Sequence, residues 1–319
     1  MNHELCTMNP DLSIVIPIYN EQECVKKLYE RVHDEAVKLG RSYEIILIDD
    51  GSSDKTPEIL KQLVSGTNDL RVIRFRKNYG QTPAMVAGFD HARGDIIITM
   101  DGDLQNDPAD MKKLLDKMDE GYEVVSGWRY KRQDKFLTRK LPSMCANKLI
   151  SILTGVHLHD YGCSLKAYKR ECIREVQAYA EMHRFFPAVA SITGARTAEM
   201  PVNHYARVYG KSKYGLSRTF KVFADLFTMV LLTRFSTKPA LFFAFWTLPF
   251  LALSVLCLIA TIEHYIFAHT PGIVFPGATL LMLMLVTHFI FLALLSVIIL
   301  RQGKYKAEKL STVTAEIIK

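Results

Sequence analysis

Two long apolar segments near the carboxyl end constrain this chain more than any other feature. They run from Pro239 to about Ile262 and from Ile273 to Leu300. Each is longer than the roughly 20 residues that a helix needs to cross a bilayer core. The alternative is a hairpin of two helices buried in a soluble domain. The near absence of charge over the whole stretch favours the membrane, so the sequence predicts a two-helix transmembrane hairpin over residues 239–300.

The charges that flank these segments predict their orientation. The loop between them, Glu263 to Gly272, contains no Lys or Arg, whereas Arg234 and Lys238 precede the first segment. The second segment is followed by Arg301, Lys304, Lys306 and Lys309. Because positively charged flanks stay on the cytosolic side, both ends of the hairpin are expected in the cytosol. Residues 301–319 then form a basic cytosolic tail.

Composition narrows the class of protein. The six cysteines include no C-x-x-C pair, which argues against a zinc site and a disulfide scaffold and fits a reducing cytosol. Residues Met1 to Pro10 lack the apolar core of a signal peptide. The net charge of +7 suits anionic lipid and phosphate better than nucleic acid in a membrane-attached protein, and the chain carries no recognised nucleic-acid motif.

Before residue 235 the chain alternates strand-like and helix-like segments. Near-continuous apolar runs predict buried strands at Leu12–Ile18, Glu44–Ile48, Leu70–Phe75 and Asp95–Thr99. Helical spacing or helix-start signals occupy the intervals, at Glu23–Leu39, Pro57–Val64 and from Gly80. This order predicts an α/β fold with a doubly wound, mostly parallel sheet.

Polar clusters follow three of these predicted strands. Asp101 and Asp103 follow the fourth strand, and Asp49 and Asp50 follow the second, while Tyr19-Asn20-Glu21 ends the first. Residues i and i+2 of an extended chain point to the same side, so Asp101 and Asp103 can converge on one Mg²⁺ or Mn²⁺ ion. An acidic turn in solvent is the alternative. Ligands bind beyond the carboxyl ends of such strands, so three clusters there favour a nucleotide-phosphate site.

The motifs of two common nucleotide-binding classes are missing. The sequence contains neither G-x-x-x-x-G-K-[ST] nor G-x-G-x-x-G, which argues against a P-loop NTPase and a dinucleotide-dependent oxidoreductase. Without a glycine-rich loop, a bound metal is needed to balance the charge of a diphosphate.

Two later segments are basic. Arg129 to Lys140 is rich in cations, and Phe136 to Leu153 then alternates cations with apolar residues. This is either a solvated loop followed by an ordinary helix, or a surface helix that meets lipid while Arg129 and Arg139 receive a phosphate. The loop from Arg207 to Gly215 either turns in solvent or closes over a diphosphate, with Arg207 and Lys213 as counter-charges.

Two further features have two interpretations each. Asp160 can be a helix cap or a catalytic group. The amphipathic segment Leu216 to Ser236 can be a core helix or an interfacial helix, and its position directly before the apolar segments favours the interface.

Five motifs together resemble those of family 2 glycosyltransferases with the GT-A fold, in particular the polyisoprenyl-phosphate branch. The resemblance covers residues 12 to about 235 and rests on Ser13–Glu21, Ile48–Asp54, Asn78–Gln81, Asp101–Gln105 and Asp160–Cys163. It implies a cytosolic GT-A domain over residues 1–215, followed by an amphipathic juxtamembrane helix over 216–238 and the transmembrane hairpin.

The resemblance also implies roles for individual residues. The nucleotide-sugar site would contain Pro17, Tyr19, Glu21, Asp49, Asp50, Asp101, Gln105, Arg207 and Lys213. The metal ligands would be Asp101, Asp103 and Gln105, and the lipid phosphate would be held by Arg129, Arg139 and Ser143. The catalytic set would be Asp103, Arg129, Arg139 and Asp160.

The implied enzyme is membrane-bound and inverting. It would move a sugar from a nucleotide-diphosphate sugar, with UDP as the expected nucleotide, to polyprenyl (undecaprenyl) phosphate on the cytosolic face of the bacterial inner membrane. Mg²⁺ or Mn²⁺ is the expected cofactor, and the resemblance implies a homo-oligomer, a tetramer in the family. The motifs do not identify the sugar.

Two other functions have to be weighed against this one. A processive polysaccharide synthase would need a Gln-x-x-Arg-Trp segment and more membrane spans, and the sequence contains neither. A non-catalytic membrane scaffold would not need Asp101 and Asp103.

Overall fold

The computed structural model describes residues 9–130, 147–148, 150–151, 155–173, 182–192, 194–206, 239–268, 272–302 and 314–318. The chain divides into two compact units. One contains Met1–Asp225 together with Glu308–Lys319, and the other contains Leu226–Ala307.

The first unit is built on one sheet flanked by helices. Its strands are β1 (Leu12–Ile18), β2 (Tyr43–Asp49), β3 (Leu70–Phe75), β4 (Ile96–Thr99), β5 (Val124–Trp128), β6 (Lys166–Lys169), β7 (Thr197–Pro201) and β8 (Thr314–Ile318). Its helices are α1 (Val25–Lys38), α2 (Thr56–Ser65), α3 (Gln81–His91), α4 (Met111–Asp119), α5 (Arg170–Ile173) and α6 (Phe186–Ile192). Short 3₁₀ turns occupy Pro108–Asp110 and Met182–Phe185.

The strand order is β7-β5-β6-β4-β1-β2-β3-β8. β4, β1, β2 and β3 are parallel neighbours, and β5 is parallel to β7. β6 runs antiparallel to both β4 and β5, and β8 runs antiparallel to β3. The predicted α/β fold with a mostly parallel sheet is therefore confirmed.

The core lies on both faces of the central strands. β1 and β2 are buried almost throughout, as their continuous apolar sequences predict. α1 buries Val25, Leu28, Tyr29, Val32 and Ala36, which share one helix face. On the opposite layer, α3 approaches β1 so closely that a Cβ at Gly88 would lie 2.2 Å from Cγ1 of Val15.

The second unit contains the two apolar helices, α7 (Pro239–Ala268) and α8 (Val274–Gln302). Both are long and apolar enough to cross a membrane, over Ala240–Phe267 and Val274–Ile298. Within the hairpin, the rings of Phe250 and Phe289 stack at 5.4 Å. Hydroxyl groups in both helices bond back to carbonyls of the preceding turn, for example Thr261 to Cys257 at 2.8 Å and Thr279 to Phe275 at 2.9 Å. Such bonds satisfy polar groups that lipid could not.

The carboxyl end of the chain adds an edge strand to the sheet of the first unit. Residues Thr314–Ile318 form β8 and pair with the outer edge of β3, for example Ile317 opposite Ile73. An edge strand has unpaired backbone groups, and β8 satisfies those of β3. The segment is short and far from β3 in sequence, so no local pattern reveals the pairing.

Candidate active site

The loops after β1 and β2 are joined by hydrogen bonds from backbone amides to side chains. The amide of Asn20 donates to Oγ of Ser52 (2.9 Å), and the amide of Ser53 donates back to Oδ1 of Asn20 (2.8 Å). The amide of Glu21 donates to Oγ1 of Thr56 (3.0 Å). These bonds fix Pro17, Tyr19 and Glu21 at the carboxyl edge of the sheet, where parallel α/β folds bind ligands.

The acidic pair after β2 shapes this edge. Asp49 is buried at the end of the strand, accepts the amide of Ser52 (2.9 Å) and lies 3.3 Å from Nε of Arg74. Asp50 accepts the amides of Tyr79 (2.7 Å) and Gly80 (2.9 Å). Burial raises the pKa of Asp50 to about 6, although the two amide bonds lower it. Both carboxylates therefore hold the loops that line the predicted nucleoside site.

The motif after β4 is held in a tight turn. A Cβ at Gly102 would lie 2.6 Å from Cδ1 of Ile18 and 3.0 Å from the carbonyl oxygen of Pro17, so only glycine fits against β1. Leu104 has a φ of 60°, a conformation that non-glycine residues rarely adopt. Oδ1 of Asp103 accepts the amide of Gln105 (3.2 Å) across this turn. The strained turn brings Asp101, Asp103 and Gln105 to one cleft.

The chemistry of this trio fits a divalent cation. The pKa of Asp101 is raised by burial and by the neighbouring charge of Asp103. Nε2 of Gln81 donates to Oδ1 of Asp101 at 2.6 Å, which offsets only part of that charge. The side-chain nitrogen Nε2 of Gln105 donates to the backbone carbonyl of Tyr205 (3.2 Å). The side-chain oxygen Oε1 of Gln105 is therefore the atom that could bind a cation. Two carboxylates and an amide oxygen are ligands that Mg²⁺ and Mn²⁺ accept.

The segment after β7 is fixed against the same motif. The amide of Tyr205 donates to the carbonyl of Gln105 (2.8 Å), and His204 forms a β-bridge with Asn106. The hydroxyl of Tyr205 donates to Oδ2 of Asp107 at 2.8 Å. This pairing places His204 in the wall of the cleft that Asp101, Asp103 and Gln105 also line.

Arg129 enters the cleft from the end of β5. Its Nε donates to Oδ2 of Asp160 at 2.6 Å and its Nη2 donates to Oδ1 at 2.9 Å. Both side chains are largely buried, and hydrogen bonding to Asp160 raises the pKa of Arg129 further above its already high value. Oδ1 of Asp160 also accepts the amide of Gly162 at 3.1 Å. Asp160 therefore acts here as a partner of Arg129, which it orients.

The backbone around Asp160 has its own support. The carboxylate of Glu199 on β7 accepts the amide of His159 (3.0 Å) and the amide of Asp160 (2.9 Å). Nδ1 of His159 contacts Oε2 of Glu199 at 2.7 Å, and the imidazole stacks on the ring of Trp128 at 4.4 Å. A chain of contacts thus runs from β7 through Asp160 to Arg129.

One polar cleft joins these groups. Of the residues predicted from the sequence, it is lined by Asp101, Asp103, Gln105 and Arg129. Pro17 and Asp49 lie at the carboxyl ends of β1 and β2, whereas Tyr19, Glu21 and Asp50 follow these strands. Asp160 accepts hydrogen bonds from Arg129. The predicted residues Arg139, Ser143, Arg207 and Lys213, the segment 216–238 and most of the basic run after Arg129 lie outside the described residues.

Sequence reasoning missed several residues that line the cleft. These residues are Gln81, Lys166, His183, Arg184 and His204. Gln81 stood within a family motif and Lys166 follows the motif Asp160–Cys163 by three residues, whereas the other three lie in segments without an obvious functional pattern. The one available signal was Lys166, a cation that stands between the apolar residues Leu165 and Ala167.

The arrangement suits transfer between phosphorylated partners. A carboxylate pair that can hold a metal lies in the same cleft as a guanidinium fixed by a buried carboxylate. A metal held by the carboxylate pair would bind a diphosphate, and Arg129 would attract a second phosphorylated molecule toward it.

Comparison with known proteins identifies the family of the chain. The profile described as glycosyl transferase family 2 matches residues 13–177. A dodecaprenyl-phosphate galacturonate synthase of Rhizobium johnstonii is 46% identical over 253 residues, which cover 78% of this chain and 75% of the relative.

Solved structures share the fold at low sequence identity. A glucosyl-3-phosphoglycerate synthase of Mycobacterium tuberculosis, bound to phosphoglyceric acid, aligns with a TM-score of 0.53 at 17% identity over 70% of this chain and 80% of the other. A mannosyl-3-phosphoglycerate synthase of Rubrobacter xylanophilus aligns with a TM-score of 0.50 at 16% identity, over 70% of this chain and 75% of the other. The fold is therefore GT-A-like, and the chain belongs to glycosyl transferase family 2 and is a glycosyltransferase.

Proposed function

We propose that this glycosyltransferase moves a sugar from a nucleotide-diphosphate sugar to polyprenyl phosphate, with inversion at the anomeric carbon. The observation that carries the proposal is the single cleft that contains Asp101 and Asp103 on one side and the Asp160-bound Arg129 on another. The relative from Rhizobium johnstonii supports the acceptor class, because its name is that of a dodecaprenyl-phosphate synthase.

The donor half of the site is assigned to the strand-end loops. The nucleoside, with UDP as the proposed nucleotide, would lie against Pro17, Tyr19, Glu21 and the loops held by Asp49 and Asp50. The glucosyl-3-phosphoglycerate synthase of Mycobacterium tuberculosis is known in complex with Mn²⁺ and UDP-glucose, which supports this assignment. That structure aligns with a TM-score of 0.50 at 17% identity, over 70% of this chain and 79% of the other.

A divalent cation, Mg²⁺ or Mn²⁺, completes the donor half. Asp101, Asp103 and the amide oxygen of Gln105 would hold it. When bound, the cation would stabilise the charge that develops on the departing diphosphate. Arg207 and Lys213 are proposed as further counter-charges for the diphosphate.

The acceptor half is assigned to Arg129, with Arg139 and Ser143 from the following basic segment. The nucleophile is a phosphate oxygen, which is already ionised near neutral pH because its second pKa is about 6. No side chain has to remove a proton from it, unlike the case of a sugar hydroxyl. The two oxygens of Asp160 accept hydrogen bonds from Arg129, so Asp160 serves by positioning that guanidinium. Attack opposite the leaving diphosphate would invert the anomeric centre.

The proposed location is the bacterial inner membrane, with the catalytic unit in the cytosol. The two apolar helices and the basic residues that flank them support this orientation. The sheet adds an independent argument, because β1 to β7 precede the hairpin in sequence and β8 follows it. This supports a topology in which both ends of the hairpin lie on the same side of the membrane. We also propose that residues 216–238 form an amphipathic helix that lies at the membrane interface. The family resemblance further supports a homo-oligomer, with a tetramer as the expected form.

The test is a transfer assay on membranes that contain the full chain. The membranes receive polyprenyl phosphate, Mn²⁺ or Mg²⁺ and one nucleotide sugar at a time, and the lipid product is identified by mass. We expect one sugar per polyprenyl phosphate with release of the nucleoside diphosphate, and no product from Asp103→Ala. A polymeric product would support a processive synthase. No product and no nucleotide-sugar hydrolysis with any donor would support a non-catalytic scaffold.

A further inference from the structure

The carboxylate of Asp101 is held by two side chains to which the proposed mechanism gives no role. Nε2 of Gln81 donates to Oδ1 of Asp101 at 2.6 Å, and the side chain of Ser164 hydrogen-bonds the same carboxylate. Both residues line the cleft. Gln81 begins α3, whereas Ser164 precedes β6, so two separate elements of the fold fix one carboxylate.

Gln81 is itself held firmly at the start of α3. The residue before it, Gly80, has a φ of 98°, and its amide donates to Asp50 at 2.9 Å. The residue after it, Thr82, is buried, and its Oγ1 contacts Nδ1 of His183 at 2.8 Å. The backbone of Gln81 is therefore fixed on both sides, and its amide needs little reordering to donate to the carboxylate.

Ser164 is oriented by the segment that carries Asp101. Its Oγ accepts a hydrogen bond from Nδ2 of Asn106 at 2.8 Å, and its carbonyl oxygen accepts one from Oγ1 of Thr99 at 2.8 Å. Because Asn106 already supplies a hydrogen to Oγ, the hydroxyl keeps its own hydrogen for the carboxylate. Thr99 and Asn106 flank Asp101 in sequence, so Ser164 is joined to this segment before and after the residue that it orients.

These contacts limit what Asp101 can offer to a cation. A cation that bound both oxygens of the carboxylate would compete with the amide of Gln81 for Oδ1, whereas a cation that bound one oxygen need not displace it. Mg²⁺ requires a nearly octahedral set of ligands, and Mn²⁺ accepts the same set. Ca²⁺ takes about six to eight oxygens in a flexible arrangement and accepts both oxygens of one carboxylate. A rigid, singly available carboxylate therefore favours the smaller ions.

We infer that Gln81 and Ser164 are positioning residues that hold Asp101 so that it gives one oxygen to a divalent cation, and that they thereby make the site select Mg²⁺ or Mn²⁺ over Ca²⁺. This inference rests on the proposed function, in which Asp101 is a metal ligand. It adds the residues that control which cation the site accepts. Both act through Asp101 and not by contact with the cation.

The experiment measures cation binding and does not depend on turnover. Mn²⁺, Mg²⁺ and Ca²⁺ are each titrated by calorimetry into the full chain in detergent, without nucleotide or acceptor. The chains compared are the natural one, Gln81→Met, Ser164→Ala and the control Gln62→Ala. Gln81→Met keeps the length of the side chain but removes its donor, and Gln62 is exposed on α2. Thermal unfolding without cations confirms that each variant is folded.

We expect the natural chain and Gln62→Ala to bind Mn²⁺ and Mg²⁺ at least about tenfold more tightly than Ca²⁺. Gln81→Met should weaken the binding of Mn²⁺ and Mg²⁺ by about 10- to 100-fold, which is the usual cost of losing a partner of a metal ligand. Ca²⁺ tolerates a mobile carboxylate and can use the released Oδ1, so its affinity should fall less and the preference should shrink. Ser164→Ala should change the preference in the same direction.

Three results would overturn the inference. A natural chain that binds Ca²⁺ as tightly as Mn²⁺ would show that the site does not select. An equal loss of affinity for all three cations in Gln81→Met would assign Gln81 a structural role only. Unchanged affinities in both Gln81→Met and Ser164→Ala would show that Asp101 does not depend on either residue.

Failure of the proposed function has a different signature. If none of the three cations binds the natural chain, the metal assignment is wrong and the inference is wrong with it. If the cations bind with the expected preference and both variants reduce that preference, but no sugar reaches polyprenyl phosphate in the transfer assay, the acceptor assignment is wrong and the inference holds.

Discussion

Arg129 and Asp160 form a two-point ion pair, with Nε to Oδ2 at 2.6 Å and Nη2 to Oδ1 at 2.9 Å. The guanidinium plane is fixed by this geometry, and Asp160 is fixed in turn by the amide of Gly162. A Cβ at Gly162 would lie 2.9 Å from Nη2 of Arg129, so glycine leaves room for the pair. The family motif Asp160–Cys163 is therefore explained by the support that it gives to Arg129, which directly follows β5.

Removing the charge of Asp160 should affect both stability and acceptor use. Loss of one partner of a buried ion pair leaves the other charge uncompensated, so Asp160→Asn should lower the free energy of unfolding by about 3–5 kcal/mol. The apparent KM for polyprenyl phosphate should rise more than that for the nucleotide sugar, because Arg129 loses its orientation. Denaturant unfolding and steady-state kinetics measure the two effects.

The matched control for this variant is Asp119→Asn. Asp119 pairs with Arg41 at the surface, where its side chain is 55% exposed. Exposed pairs contribute about 0–1 kcal/mol, so this variant should change stability and kinetics little. An unchanged KM for the lipid in Asp160→Asn would contradict the positioning role.

Much of the fold could be predicted because its central strands are apolar throughout. The predicted bounds of Leu12–Ile18 and Leu70–Phe75 agree with those of β1 and β3, and both long apolar segments form helices. β6, β7 and β8 were not predicted. β6 is short and has a lysine at each end, and β8 becomes a strand only by pairing with the distant edge of β3.

Only some residues of the candidate site were predicted, because prediction depended on their following recognisable strands. Asp101, Asp103 and Arg129 follow strands whose direction is readable from the sequence, and they do line one cleft. Lys166 was missed because a lysine is ordinarily an exposed residue. Its burial depends on β4 and on the segment that contains Arg184, neither of which is near it in sequence.

Asp101→Asn should separate stability from activity. Burial and the charge of Asp103 raise the pKa of Asp101, so the folded state binds its proton more tightly than the unfolded chain does. The contribution of this group to stability is therefore present at low pH and is lost as the pH rises through the folded pKa. Without metal at pH 7, the asparagine variant should melt at a higher temperature than the natural chain.

The same variant should lose metal-dependent turnover and bind Mn²⁺ at least about tenfold more weakly, because a ligand carboxylate is gone. Calorimetry with Mn²⁺ and thermal unfolding with and without the ion measure these effects. A natural chain that melts at the same temperature with and without Mn²⁺ would contradict the metal assignment, since a ligand of the folded state must stabilise it.

Two glycines with the same backbone conformation offer a test of the loop after β2. Gly51 and Gly40 have φ values of 67° and 65°. A Cβ at Gly51 would lie 2.3 Å from the carbonyl carbon of Lys77, whereas nothing lies within 4 Å of a Cβ at Gly40. Gly40→Ala should lower the free energy of unfolding by about 1 kcal/mol, which is the backbone term alone.

Gly51→Ala should lower the free energy of unfolding by about 1–3 kcal/mol more than Gly40→Ala does, because the main chain around Lys77 must move. That movement displaces the amides of Tyr79 and Gly80, which Asp50 binds, so nucleotide affinity should fall as well. Urea unfolding and nucleotide titration of both variants measure the difference. Equal effects of the two substitutions would show that the loop adapts without strain.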